Sequence, residues 1–496
     1  MAEADPADRT IARKAISTAI QSGQAELAIS LAKQIPPNEL PIDARLMLAA
    51  EQLRRGKNKD AVSALEQGAT STEVDLFAPL VKAWERTARG KDDGIELLSQ
   101  ISAASPLAPI ANEQKAAMLF ALNRADEALP IAQRVLVQSS GRNTRLRLAF
   151  ADSLIRLKRP DDAMVMLQGD DEALVAARQR VAAGKPLAMA IATPSDGYAE
   201  MLLALAIDLG REDNKSLPIA LTQVARHANP GNSEGVILLA LLFDGDGRPE
   251  HALKLLGTVS PDDLLAGEAL DIETRILGDR SDYSRALARA QAATQTAGAG
   301  PHDFTRLANV LGDMDRHTEA AAAYGEAINR TARGGNSELW TLHLLRAASL
   351  EQADRWDEAK AELETALKLD PENALLLNFL GYGKLERGED LDIAEAMIRK
   401  ASALRPDDAS ITDSLGWALF KRGRVDEAIE TLSRAAAGDP SQSEIHEHLG
   451  DALYSAGRRI EARFSWQAAM ITAENEAKSR LERKMELGLN TANAAP

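Results

Sequence analysis

The chain has 496 residues, no cysteine and a formal net charge of −16. That excludes disulfides, thiolate metal sites and a thiol nucleophile, and it makes nucleic-acid phosphates and anionic membrane surfaces poor partners. Apolar residues make up 45% of the chain but aromatics only 4%, the balance of closely packed helices rather than of long strands.

Residues 1–9 are polar, unlike a signal peptide, and are expected to be disordered. No run of 18 apolar residues occurs, so no spanning helix is expected. Over 10–170 a small residue recurs inside helix-forming stretches, as Ala28, Ala61, Gly94, Ala128 and Ala163. The recurrence then breaks. The next residue in phase is Ala220, 57 positions on, so 171–215 reads as a degenerate unit or an extra helix. It resumes over 216–336 with Ala220, Ala252, Ala286 and Ala320, and a lengthened loop is expected at 331–336. It is clearest over 337–472, with Ala359, Ala394, Ala428 and Ala462. Ten of the twelve spacings lie within two residues of 34. That is the mark of stacked helix pairs, each too small to bury its own apolar face. Residues 473–489 read as a charged amphipathic helix that solvates the open end of the stack, and 490–496 as a disordered tail.

Within 337–472, Leu380–Gly381, Leu415–Gly416 and Leu449–Gly450 stand 35 and 34 residues apart. The small residues let paired helices approach closely, and Leu415, Leu419 and Leu432 fill the space between them. Pro371, Pro406 and Pro440 mark where one pair ends. Asp370 and Asp439, before prolines, are expected to cap the helix that follows. The period, the Leu-Gly pair, the small residue twelve positions after the glycine and the closing proline resemble the tetratricopeptide repeat family, specifically over 337–472 and by phase over 10–335.

The resemblance implies an all-α superhelical solenoid of about 12–14 units. In that family the first helix of each pair lines a concave wall, with its positions 2, 5, 9 and 12 facing inward. Carried onto this chain, those are Leu375, Asn378, Tyr382 and Leu385; then Ser410, Asp413, Trp417 and Phe420; then Glu444, Glu447, Asp451 and Tyr454. His302, Thr305 and Asn309 are the upstream equivalents. Aromatics, acids and an amide suit the docking of an extended peptide or a partner helix. Trp84, Trp356, Trp466 and Tyr324 are expected to pack, while Trp417 and Tyr382 stand between ligand contact and packing on the neighbouring repeat. Chaperone-docking members grip a terminal carboxylate with a Lys/Asn/Arg clamp. Here the corresponding positions hold Asn378, Asp413, Ser414, Glu447 and His448, whose acids would repel a carboxylate. A basic or neutral partner is expected instead.

Three motifs read as decoys. Gly231–Gly235 fits a nucleophile elbow but follows a helix rather than a strand. Asp244–Gly247 opens like a calcium loop, yet Arg248 and Leu255 stand where ligands belong. His446 and His448 lie two residues apart, on different sides of a helix, and read as a solvated face rather than a metal site. No catalytic residue, cofactor or metal is expected.

Residues 374–470 also resemble the C-terminal repeats of bacterial envelope tetratricopeptide proteins, through Leu377–Tyr382, Asp413–Trp417 and His448–Asp451. One such group comprises outer-membrane lipoproteins that act as adaptors, delivering cell-wall hydrolases to a carboxyl-terminal processing protease. The implied function is a non-catalytic scaffold that binds protease and substrate. It would be periplasmic and held to the outer membrane by a lipidated cysteine that this sequence does not contain. A cytoplasmic scaffold and a repeat component of a polysaccharide secretion machine are the alternatives. An enzyme with its site in 171–215, around Asp196, Asp208 and Glu212, is a third, though that stretch offers no His or Cys. Curved arrays of this kind also commonly self-associate.

Overall fold

The computed structural model describes residues 9–68, 72–91, 93–99, 101, 108–138, 141–331, 339–490 and 493–495. Most of the N-terminal segment expected to be disordered, and most of the lengthened loop at 331–336, lie outside the described residues. Among the described residues the chain is helical, with no strand, and it divides into two compact units, Met1–Ala292 and Ala293–Pro496.

Unit 1 comprises α1 (Arg9–Gln21), α2 (Ala25–Ala32), α3 (Ile42–Arg54), α4 (Asn58–Glu66), α5 (Thr72–Thr87), α6 (Asp93–Ser99), α7 (Ala108–Ala121), α8 (Ala125–Gln138), α9 (Asn143–Arg156), α10 (Pro160–Met166), α11 (Glu172–Ala182), α12 (Pro194–Leu209), α13 (Ser216–Ala228), α14 (Ser233–Gly245), α15 (Pro249–Leu256), α16 (Ala266–Asp279) and α17 (Tyr283–Thr294), in which it ends. Unit 2 continues with α18 (Pro301–Asp313), α19 (His317–Thr331), α20 (Leu339–Gln352), α21 (Trp356–Leu369), α22 (Ala374–Glu386), α23 (Leu391–Leu404), α24 (Ala409–Lys421), α25 (Val425–Gly438), α26 (Ser443–Ser455), α27 (Arg459–Thr472) and α28 (Asn475–Leu487).

The helices pack as successive hairpins, an α-solenoid. Every periodic small residue falls in the second helix of its hairpin and is buried. Ala28, Ala61, Ala128, Ala163, Ala252, Ala286, Ala320, Ala359, Ala394, Ala428 and Ala462 are fully inaccessible. The glycines of the first helices meet that face. A Cβ on Gly416 would lie 2.6 Å from Leu432 Cγ, and one on Gly450 2.3 Å from Trp466 Cδ1. The backbones are therefore as close as they can be only because these positions lack a side chain.

Two expectations are corrected. Asp370 and Asp439 do not cap the following helices. They end α21 and α25, and Asp439 accepts from Ser441 instead. The caps of α22 and α24 are Asn373 and Asp408, whose side chains accept from backbone N–H groups two and three residues on. The C-terminal tail was expected to be disordered, but at its described positions it is docked. Asn493 and Ala495 are buried, and the Ala495 N–H donates to Asp451 Oδ2 at 2.9 Å. A buried carboxylate that needs donors holds this short polar segment in place.

Gly450→Ala should lower stability by about 1–3 kcal/mol, because Trp466 is fully buried and cannot yield. Thermal unfolding followed by circular dichroism checks this, and an unchanged melting temperature would contradict the packing described.

Candidate functional site

In unit 1 the inner wall is built by α1, α3, α5, α7 and α9. It is not empty, because α12 and α13 lie against it. Thr193, Pro194 and Asp196 start α12 with a capping box: the Thr193 hydroxyl accepts from the Asp196 N–H, and Asp196 accepts from the Thr193 N–H. Gly197 then passes under Trp84 of α5, where a Cβ would come within 2.1 Å of the indole. Tyr198 is buried, and its hydroxyl donates to the Leu46 carbonyl of α3 at 3.0 Å. Gln223 of α13 donates to the Gln21 carbonyl, and His227 of α13 pairs with Glu51 of α3.

A buried charge network completes this contact. Arg142 pairs with Glu113 at 2.5 Å, with Glu234 at 3.1 Å and with Glu200 of α12. Arg145 pairs with the other oxygen of Glu200 at 2.5 Å, and Asn232 donates to the same carboxylate. Burial pushes the Glu113 carboxyl up to about 7; Arg142 opposes that rise, while Glu200 and Glu234 add to it. Asp196, weighed above as part of a hidden enzyme site, is consumed by the cap.

Unit 2 has no such filling helix among its described residues; its contacts run between neighbouring repeats. Its inward positions divide into two sets. The first is spent between the first helices of consecutive repeats, as a ladder of polar contacts. Asn378 of α22 donates to Ser414 Oγ of α24 at 3.2 Å. His448 of α26 donates from Nδ1 to Asp413 Oδ2 of α24 at 2.9 Å. Arg480 and Lys484 of α28 donate to Glu447 of α26 at 2.8 and 2.5 Å, and Lys484 reaches Asp451 as well. Trp417 lies within the ladder. It stacks on His448 with ring centroids 4.1 Å apart and on Phe420 at 5.0 Å, and its Nε1 donates to Glu386 of α22.

Four sequence-based assignments are thereby corrected. Asp413, Trp417, Glu447 and Asp451 are all at most 5% exposed and do not face an open groove. In α24 and α26 the neighbouring helices approach so closely that positions 5 and 9 are covered by the repeat or helix that follows. Leu385 is buried for the same reason. His448 is fully buried rather than on a solvated face. Its burial opposes the charged form, but Asp413, with Glu444 and Asp451 behind it, outweighs this and holds the imidazole above its ordinary range. Among the described residues no group of three or more His, Asp or Glu side chains could hold a metal ion. The other two decoys are turns, one before α14 with Asn232 as its N-cap and one between α14 and α15.

The second set remains accessible. Leu375, Ser410 and Glu444 are exposed, and Tyr382, Phe420 and Tyr454 are half-buried; Asn378, although bonded to Ser414, is half-buried as well. Upstream, Asn309 is exposed, with its side-chain oxygen accepting from the Tyr324 hydroxyl, while His302 and Thr305 are half-buried.

A model described as TPR repeat matches residues 416–457, and one described as tetratricopeptide repeat matches residues 85–143. Within those two stretches the chain matches tetratricopeptide repeats. Comparison with curated proteins returned no significant match. Among solved structures the chain is similar to a chain of the APC/C hetero-tetramer Cut9–Hcn1, at 15% identity over 97% of each chain with a TM-score of 0.39. Yeast Tom70 aligns at 14% identity over 84% of this chain and 96% of that one, with a TM-score of 0.42. YrrB, described as a TPR protein with an unusual peptide-binding site, aligns at 19% identity over 39% of this chain and 97% of its own, with a TM-score of 0.30.

What sequence reading missed is α12 as the occupant of the unit 1 wall. The signal is present: Tyr198–Ala206 has only Glu200 as a charged residue and is apolar on every side, as a helix buried all round requires.

Two outcomes follow. Trp417→Ala should cost roughly 3–5 kcal/mol, so it should lower the melting temperature sharply; loss of partner binding without melting would restore the surface assignment. Burial pushes the Glu113 carboxyl up to about 7 in the folded chain, against 4.5 for an unperturbed glutamate. The folded state therefore binds this proton more tightly, and its stabilisation is complete below about 4.5 and lost as pH rises through about 7. His448, raised above 6.5, acts in the same direction. Its stabilisation is fully present below 6.5 and is lost as pH climbs through the higher folded value. The melting temperature should rise between pH 8 and pH 5.5, by roughly 2–4 °C for each kcal/mol gained, and Glu113→Gln should flatten part of that slope.

Proposed function

We propose that this protein is a non-catalytic scaffold whose partner docks on the inner wall of unit 2. One observation carries the reading: the equivalent wall of unit 1 is filled by the chain's own α12 and α13, whereas on unit 2 Leu375, Ser410 and Glu444 remain exposed beside Tyr382, Phe420 and Tyr454. Three first helices in series present one apolar, one hydroxyl and one acidic residue at their inward N-terminal ends, with an aromatic at the inner turns. An extended peptide or a single helix finds anchors of this kind at helical or strand spacing.

The narrower reading is an adaptor of the bacterial envelope that brings substrates to a carboxyl-terminal processing protease, held at the outer membrane on its periplasmic side. It is supported by the likeness of residues 374–470 to the repeats of such adaptors. A scaffold of this type gains nothing from reactive groups, and the buried acids and His448 of unit 2 are engaged in holding repeats together.

Co-purification from the native bacterium, followed by cross-linking, tests both levels. A carboxyl-terminal processing protease should be recovered, with cross-links to α22, α24 and α26. Leu375→Glu combined with Glu444→Lys should weaken the interaction about tenfold, while the melting temperature stays nearly unchanged because both side chains are exposed. Recovery of polysaccharide-export components alone would reject the adaptor role. Cross-links confined to unit 1 would reject the wall itself.

A further inference from the structure

The last hairpin of unit 2 departs from the others on the solvent side of its second helix. In α21, α23 and α25 the positions two before, two after and nine after the buried alanine are all exposed. The first of them holds Asp357, Asp392 and Asp426 in turn, and the others hold alanine, glutamate or lysine. In α27 the same three positions hold Ile460, Phe464 and Ile471, which are 75%, 67% and 82% exposed. Single exposed apolar residues are ordinary, but three large ones lined up on one helix mark a contact surface.

The pattern of the stripe says what covers it. With exposed Gln467 the series is 460, 464, 467 and 471, spaced four, three and four. That is the heptad spacing of a helix that packs along its length on another helix, with one polar residue in the seam to fix register. Four, three and four also reads the same backwards. Two copies of α27 laid antiparallel therefore put Ile460 opposite Ile471 and Phe464 opposite Gln467, with the two-fold axis between residues 465 and 466. The charges obey the same symmetry. At the start of α27 the Arg459 guanidinium lies 5.6 Å from the Tyr454 ring centroid and has no carboxylate partner among the described residues. Just past its end, exposed Glu474 and Glu476 make no ion pair among the described residues. Antiparallel pairing brings Arg459 of each copy to Glu474 of the other, so one face supplies both halves of an isologous contact.

We propose that the exposed stripe of α27 receives α27 of a second copy of this chain, antiparallel, and makes the protein a dimer through its C-terminal hairpin. This contact is separate from the inner wall and leaves it open. A contact of one helix per copy falls at the small end of interface sizes, below about 1,200 Å² in total, so the dimer dissociates on dilution.

Sedimentation velocity of the full chain over a wide concentration range tests this. The mass should climb from 53.3 kDa towards twice that value. Phe464→Glu should stay a monomer throughout, with an unchanged circular dichroism spectrum because the side chain is exposed. Arg459→Glu and Glu474→Arg should each weaken the dimer about tenfold. Combined, they should restore it, since each copy then carries the same pair reversed. Asp426→Arg, at the matching position of α25, should change nothing. The chain has no cysteine, so pyrene attached to Gln467→Cys labels a single site beside the two-fold axis and should give excimer emission where the dimer forms. A single-chain mass at every concentration, a dimer indifferent to Phe464→Glu, or a double charge reversal that fails to restore association would each overturn the proposal. So would binding of a monomer to phosphatidylcholine vesicles that Phe464→Glu abolishes, the stripe then lying on lipid.

Discussion

Close backbone approach inside each hairpin is the constraint on which the rest depends. A unit of this size cannot enclose a core of its own, so its apolar face must be covered by the next unit. That works only if the two helices of a pair lie near enough for one layer of leucine, isoleucine and tryptophan side chains to fill the gap. The fully buried alanines from Ala28 to Ala462, and the glycines whose absent Cβ atoms would strike Leu432 and Trp466, set that distance. With a methyl group more at either place the hairpin opens, and with it the spacing of the first helices that build the inner wall.

Once that spacing is set, the inner wall cannot stay uniform. First helices standing close to one another bring their inward side chains into mutual contact, and the chain resolves this differently in its two units. In unit 1 the wall takes up an intramolecular helix, and the glutamate that helix carries, Glu200, meets Arg142 and Arg145. Buried ion pairs of this kind contribute little net stability, because desolvation offsets their attraction. What they add is register: with Glu200 shifted by one turn, Arg145 would be left buried without a carboxylate and Arg142 would lose one of its three. Gly197 under Trp84 and Tyr198 on the Leu46 carbonyl fix the same register by shape and by hydrogen bonding. In unit 2 the inward polar residues bond across to the next repeat instead, and only the outermost positions stay accessible.

The fold was legible because its signal is geometric and repeats. One small residue every 34 positions reports a close contact wherever it occurs, and the register drawn from Ala359 onward led back correctly to Ala28. The binding surface was only partly legible. The family pattern tells which residues point inward, yet pointing inward is not the same as being open. Trp417 looked like a ligand contact since it lies one step off the packing stripe; only His448, thirty-one residues further on in sequence and on the adjoining repeat, decides that it is covered. The same holds for Glu447 and Asp451, whose partners come from a C-terminal helix and tail that composition marks merely as charged and polar. Long-range pairing between residues of unremarkable local character leaves no trace in periodicity.

The ladder bears directly on how well such a wall can bind. A docking surface made of free side chains would have to order them on association, at about 0.5–1.5 kcal/mol for each one immobilised. Here the inner turns of α22, α24 and α26 are already held. Asn378 is tied to Ser414, Asp413 to His448, Glu447 to α28, and Trp417 is clamped between two rings and a carboxylate. Tyr382, Phe420 and Glu444 project from that fixed row. The polar side chains that sequence reading took for contacts therefore act one layer deeper. They align the residues that remain exposed, so that a partner meets a surface whose ordering cost was met when the chain folded.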